Sequence, residues 1–116
     1  MKFFSILVLI SSLVSLQGEQ KVVTLPEDVA SKLQKMNKDV LLFKPKNYSA
    51  SKSSPLIIFL HGSGERGKDI SMVGKNGIPK IVLKVKDFPF LSVSPQCLKT
   101  EKGGWNIKDL DILLKY

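Results

Sequence analysis

The chain has one cysteine, one histidine, one tryptophan and one arginine in 116 residues. Cys97, standing alone, excludes an intrachain disulfide. With neither a Cys-x-x-Cys nor a His/Cys cluster, the sequence has no metal-ligating pattern, and no metal or cofactor is expected. The net charge of +8 comes almost wholly from lysines, with Arg66 the only guanidinium. They are spread along the chain with no block dense enough to track a phosphate backbone, so a solvated lysine-rich surface is expected and a nucleic-acid partner is not. A long apolar run is also missing: the longest, Phe3 to Leu16, is broken by serines and falls short of the roughly 20 residues that span a bilayer.

What is present fits a single small globular domain, since 43% of residues are hydrophobic and 24% charged. Lys2, the apolar run and the return to polarity at Gln17-Gly18-Glu19 read as a signal peptide over residues 1–18, with cleavage expected after Gly18. The domain would then be residues 19–116, secreted or periplasmic, with no stable membrane span once the signal is removed. Asn47-Tyr48-Ser49 fits a glycosylation sequon, which matters only in a eukaryote.

Along the domain, Thr24-Leu25-Pro26-Glu27 predicts a capped helix start, and Leu25, Val29, Leu33 and Met36 recur at one-face helical spacing. Val40 to Phe43 predicts a buried strand closed by Lys44-Pro45, followed by a polar connection from Asn47 to Pro55. The run Pro55 to Leu60 has no polar face, which suits a strand covered on both sides. Ile78, Ile81, Val82 and Val85 predict a helix with Pro79 in its first turn. Phe88 to Val93 predicts another strand stopped by Pro95, and Ile107, Leu110, Leu113 and Leu114 a final amphipathic helix. Strands alternating with helices predict an α/β fold.

Between the run Pro55 to Leu60 and the next helix, His61 to Gly67 supplies Gly62, Gly64 and Gly67, which a tight strand exit needs for unusual backbone angles. This loop has three readings. Gly62-Ser63-Gly64-Glu65-Arg66-Gly67 satisfies the dinucleotide fingerprint G-x-G-x-x-G, with Asp87 about 20 residues beyond, but the third glycine should open a helix and Lys68 to Gly77 has poor helical continuity. The same residues with Lys68 complete G-x-x-x-x-G-K, except that Asp69 stands where a hydroxyl should reach magnesium.

The third reading takes the whole string from Pro55 to Gly67. A hydrophobic strand ending in His61-Gly62-Ser63-Gly64 resembles the oxyanion strand and loop of α/β-hydrolases, in the secreted branch of dienelactone-hydrolase-like, feruloyl-esterase-like and prolyl-oligopeptidase-like proteins. Phe88 to Cys97 is similar to the following strand of that branch, Trp105-Asn106 to the segment leading to the helix before the nucleophile, and Val40 to Tyr48 to the earlier strand. The resemblance spans roughly residues 40–116 and rests on several ordered segments.

The resemblance implies the N-terminal portion of an α/β-hydrolase sheet with flanking helices, incomplete, from a serine esterase or peptidase acting on small-molecule esters or peptides. Acyl transfer needs fixed backbone donors for the anionic tetrahedral intermediate, and the family takes one from this loop and one from the residue after the nucleophile. The first donor is placed at the Ser63 N–H, with Gly62 and Gly64 shaping the loop. His61, Glu65 and Arg66 are expected to support the loop, Glu65 and Arg66 by pairing across the turn. A local His61–Ser63 dyad is disfavoured by their spacing. Trp105 is a candidate pocket wall, with core packing the simpler alternative, and Ser94 and Gln96 are weaker candidates at a strand end.

No serine here has glycine two positions to either side, and His61 is the only histidine, so the nucleophile elbow and the catalytic triad are absent. The chain alone is expected to be inactive. Two other functions stay open: a non-catalytic binding or assembly module that pairs an exposed strand edge with another chain, and a dinucleotide-binding loop.

Overall fold

The computed structural model describes residues 17–116, so the expected signal peptide lies outside the described residues except for Gln17 and Gly18. Among the described residues four strands form one mixed sheet: β1 (Glu19–Thr24), β2 (Asp39–Lys44), β3 (Leu56–Ile58) and β4 (Leu91–Ser94). Their order is β1-β2-β4-β3, with β1 and β4 antiparallel to β2 and β3 parallel to β4. The helices are α1 (Glu27–Ala30), α2 (Gly77–Ile81) and α3 (Ile107–Lys115), with 3₁₀ turns at Ser63–Glu65 and Ile70–Lys75. This is a small α/β architecture.

The two faces of the sheet follow from strand alternation. Val40 and Val93 bury on one face in a core with Leu25, Met36 and Leu113 of α3, joined by Val23, Leu42 and Ile58. Leu41, Phe43, Ser92 and Ser94 alternate with these and lie on the other face. There the second 3₁₀ segment inserts the fully buried Val73, and Gly74 packs on Leu41. The chain leaving β3 therefore covers one face and the chain leaving β4 covers the other.

Three expectations are corrected. The helix expected from Leu25 to Met36 is a single turn, and β1 occupies the stretch before it, where no element was expected. Pro26, not Thr24, is its N-cap, and Thr24 instead donates to Asp39 Oδ1 at 2.6 Å. The turn stops because the N–H groups that a longer helix would use internally are taken elsewhere: Gln34 and Lys35 donate to the Asp109 carboxylate at 2.9 and 2.7 Å, and Asn37 to the Gln96 carbonyl. Leu25 and Met36 still reach the core, from extended backbone.

The apolar run Pro55 to Leu60 is not a strand covered on both sides. Only Leu56–Ile58 is strand, it lies at the sheet edge, and Leu56 and Leu60 are 44% and 41% exposed. A continuous aliphatic run reads the same whether its strand is central or terminal, so sequence pattern alone does not separate the two. The later strand begins at Leu91 rather than Phe88, because Phe88 and Phe90 pack edge to face with each other at 5.8 Å, and Phe88 packs on Phe43 at 5.7 Å.

The helix expected from Ile78 is Gly77–Ile81, continued by turns to Val85, with Pro79 buried in its first turn. Its entry depends on Gly77, whose φ of 61° is left-handed and whose Cα faces the Phe59 ring with no room for a Cβ. Gly77→Ala is expected to lower stability by about 2 kcal/mol, from the left-handed backbone and the displaced ring together. Urea unfolding checks this, and an unchanged midpoint would contradict the packing described.

Candidate functional site

β3 and β4 are parallel, so their carboxyl ends lie side by side, and their exits go to opposite faces of the sheet. Such a divergence opens a crevice beyond the strand ends, the usual ligand position in open α/β sheets. Here the crevice is a cleft of about 300 Å³. The exit of β3 lines it with His61, Gly62, Ser63 and Arg66, and the exit of β4 with Cys97, Gly103, Gly104 and Trp105.

His61 ties the two exits together. Its side chain is 1% exposed, and its Nε2 accepts the Cys97 N–H at 2.9 Å. An accepting Nε2 places the ring proton on Nδ1, which donates to the Gly62 carbonyl. The ring rests against Trp105 with centroids 4.8 Å apart, and the Trp105 Nε1–H points at the His61 carbonyl at 3.4 Å. Both nitrogens are thus engaged with backbone, and the imidazole is not aimed at the Ser63 hydroxyl as a base would be.

Gly62, Ser63 and Gly64 are exposed; the first two line the cleft, and Gly64 borders a neighbouring hollow. The first bond of the 3₁₀ turn runs from the Glu65 N–H to the Gly62 carbonyl, which leaves the Ser63 and Gly64 N–H groups without a partner inside the turn. Of the three loop glycines, only Gly67 has a left-handed φ, 142°; Gly62 is extended, at φ −79° and ψ −178°. Gly62 and Gly64 therefore serve to keep the backbone bare, not to provide unusual angles.

Glu65 and Arg66 do not pair with each other, contrary to expectation, because their side chains leave the turn on different sides. Glu65 Oε1 accepts from Asn76 Nδ2 at 2.8 Å, and its buried Oε2 lies 3.8 Å from His61 Nδ1. Arg66 Nε donates to the Ser63 carbonyl at 3.0 Å, and its guanidinium lies against Gly103.

Sequence reasoning ranked Gln96 too low. It is fully buried, and its Nε2 donates to the Glu65 and Asp69 carbonyls, both at 2.8 Å, while its Oε1 accepts from Asn37 Nδ2 at 2.8 Å. One side chain thus holds the loop 65–69 against the end of β4. A glutamine placed between a strand-ending proline and a cysteine was the available signal. Ser94 is buried, does not line the cleft, and its hydroxyl has no hydrogen-bond partner.

The phosphate-binding readings lose their geometry. Gly67 opens no α-helix; the 3₁₀ segment Ile70–Lys75 follows, capped by Asp69. Asp87 sits before β4, at the opposite strand end from the loop, and pairs with Lys46 at 2.8 Å. The Asp69 carboxylate is occupied by Ser71, accepting from Oγ at 2.6 Å and from N at 3.1 Å. The Ser71 hydroxyl and backbone bonds, with the Lys75 charge beyond, hold the Asp69 carboxyl below its ordinary value.

A depressed folded-state value stabilises the cap above the ordinary carboxylate value, and that contribution is lost as pH falls through the depressed value. In Ser71→Ala the Asp69 titration midpoint, followed by carboxyl NMR shifts, is expected to move up toward the ordinary range. An unmoved midpoint would contradict this assignment.

Among the described residues, no group of three or more His, Cys, Asp or Glu is placed to hold a metal, and no helix is long and apolar enough to cross a membrane. No protein-family model, curated protein or solved structure matches the chain.

Proposed function

We propose that the chain supplies the oxyanion loop and first strands of a secreted serine hydrolase of carboxylic esters or peptides, of the α/β-hydrolase kind. The observation that carries this reading is the bare, exposed backbone of Gly62-Ser63-Gly64 in the exit of the third strand, with Gly62 and Ser63 lining the cleft. In α/β-hydrolases that loop gives one oxyanion donor, and the residue after the nucleophilic serine gives the other. A carbonyl seated over Ser63 would develop its negative charge toward a fixed N–H, the donor that the anionic intermediate needs. His61 and Gln96 act as positioning residues for that loop. Trp105 forms a wall of the same cleft.

One further observation supports the reading. Among the described residues the outer edge of β3 has no strand partner, and Leu56, Leu114 and Tyr116 stay exposed around an apolar hollow, which further strands and helix would cover. The nucleophile, acid and base would then come from sequence following Tyr116.

The test is to read the coding sequence beyond Tyr116 and assay its product on p-nitrophenyl esters. A G-x-S-x-G within about 40 residues, followed by an Asp and then a His, with activity abolished by replacing that serine, is the expected result. A stop codon after Tyr116 would overturn it. That outcome favours a non-catalytic module pairing its β3 edge with another chain, which the same apolar hollow also supports.

A further inference from the structure

We propose that His61 is a proton-operated latch between the two strand exits that wall the cleft. Neutral, it ties the exit of β4 to the exit of β3; protonated, it releases Cys97, pairs with Glu65 and loosens the cleft. The proposal stands on the packing of these residues and goes beyond the hydrolase reading.

The tie works in one ring state only. The Cys97 N–H can only donate, so His61 Nε2, 2.9 Å away, has to accept and has to be without a proton. A second ring proton would set two donors against each other around a side chain that is 1% exposed. The hydrogen bond is then lost, and a charged ring is left buried with no acceptor at Nε2.

The other ring nitrogen already faces the group that suits a charged imidazole. Glu65 Oε2 lies 3.8 Å from Nδ1, and this buried carboxylate oxygen has no hydrogen-bond partner among the described residues. Beside a neutral ring, whose Nδ1 donates to the Gly62 carbonyl, it is idle; beside a charged ring it gains a charge-assisted hydrogen bond. Glu65 is held in place from outside the loop, since its Oε1 accepts from Asn76 Nδ2 at 2.8 Å. The two ring states therefore favour different partners a short ring movement apart, as a proton-driven two-state element requires.

The other neighbours favour release. Arg66 is the only other charged side chain lining the cleft, and its positive charge opposes a second one in the tied position. From the exit of β4, the Cys97 thiol is turned to the Gly104 and Leu98 carbonyls, and Trp105 packs on the ring; neither brings a negative charge. The tied state holds one ring proton and the released state two, so falling pH drives release and rising pH restores the tie. The base of the loop stays held by Gln96 and by the Gly67 N–H, which donates to the Cys97 carbonyl. Release thus loosens the cleft without unfolding the domain.

His61 is the only histidine of the chain, so its ring resonances need no assignment. The intact chain is titrated from about pH 8 to about pH 5, the range in which histidine changes charge. Ring shifts report protonation, and amide hydrogen exchange, corrected for the intrinsic effect of pH, reports the tie. With the same midpoint as the ring, the Cys97 amide is expected to lose protection roughly tenfold, the equivalent of one buried hydrogen bond. The Gly67 amide, bonded to the carbonyl of the same Cys97, should keep its protection. Glu65→Gln keeps an acceptor for Asn76 but removes the charged partner, so its release should need a lower pH. His61→Gln offers Cys97 an amide oxygen that takes up no proton, so Cys97 protection should be equal at both ends of the range.

A ring that protonates while Cys97 stays protected, a ring that takes up no proton over the range, or release at unchanged pH in folded Glu65→Gln would each overturn the proposal. None of these readouts involves ester hydrolysis. Their failure leaves the hydrolase reading standing, and a stop codon after Tyr116 leaves the latch standing.

Discussion

Gln96→Leu is expected to lower unfolding free energy by about 4 kcal/mol and to loosen the loop 65–69 selectively. The substitution conserves approximate volume but deletes three buried hydrogen bonds, leaving the Glu65 and Asp69 carbonyls and one Asn37 N–H short of a partner. Each buried group so abandoned costs about 1–3 kcal/mol, and two of the three recover part of the loss, because Asn37 also donates to the Lys68 carbonyl and the Asp69 carbonyl also accepts the Met72 N–H. Chemical denaturation gives the total, and hydrogen exchange locates it. Amides of residues 65–69 and of Gly67 in particular, which donates to the Cys97 carbonyl, should lose protection first. Uniform loss across the sheet would mean that Gln96 supports the core rather than the loop.

Asp109→Ala ranks next, with an expected cost of about 3 kcal/mol. Asp109 is 1% exposed, yet it lies in the first turn of α3 and accepts the Gln34 and Lys35 N–H groups from the segment after α1. Two charge-assisted bonds from backbone, plus the favourable position of an anion near a helix N-terminus, hold this carboxylate in the interior. Alanine would orphan both donors and release α3 from the core, where Leu113 packs on Val40 and Val93. Asp109→Asn retains one acceptor oxygen and should lose about half as much. If the alanine variant unfolds at the wild-type denaturant concentration, the segment 31–37 is held by something other than Asp109.

These two residues show where sequence reading stops. The strand at Val40 to Phe43, the polar connection after it, the loop at His61 to Gly67 and the final helix were legible because each depends on local pattern: apolar runs, turn residues and helical spacing. The shortening of the first helix was not, because it depends on Asp109, 74 residues away from Lys35. The edge position of β3 was not either, since burial on both faces and burial on one give the same run of aliphatic residues. Within the site, the loop was visible through its glycines, while Gln96 was hidden because a polar residue at a strand end signals a turn as readily as a buried clamp. The roles within the loop divided along the same line. Residue types pointed to a bare backbone, but only the placed side chains separate Glu65, turned inward, from Arg66, turned to the cleft.

The central claim is that the Ser63 N–H is an oxyanion donor, and Ser63→Pro tests it most directly. Proline deletes that one donor and fits the backbone, because Ser63 is the first residue of a helical turn and Gly62 before it is extended. In the product of the full coding sequence, kcat for ester hydrolysis is expected to fall by about 10²–10³ with KM and melting temperature little changed, while Ser63→Ala, which keeps the N–H, stays near wild type. A folded Ser63→Pro enzyme that hydrolyses esters at the wild-type rate would contradict the account.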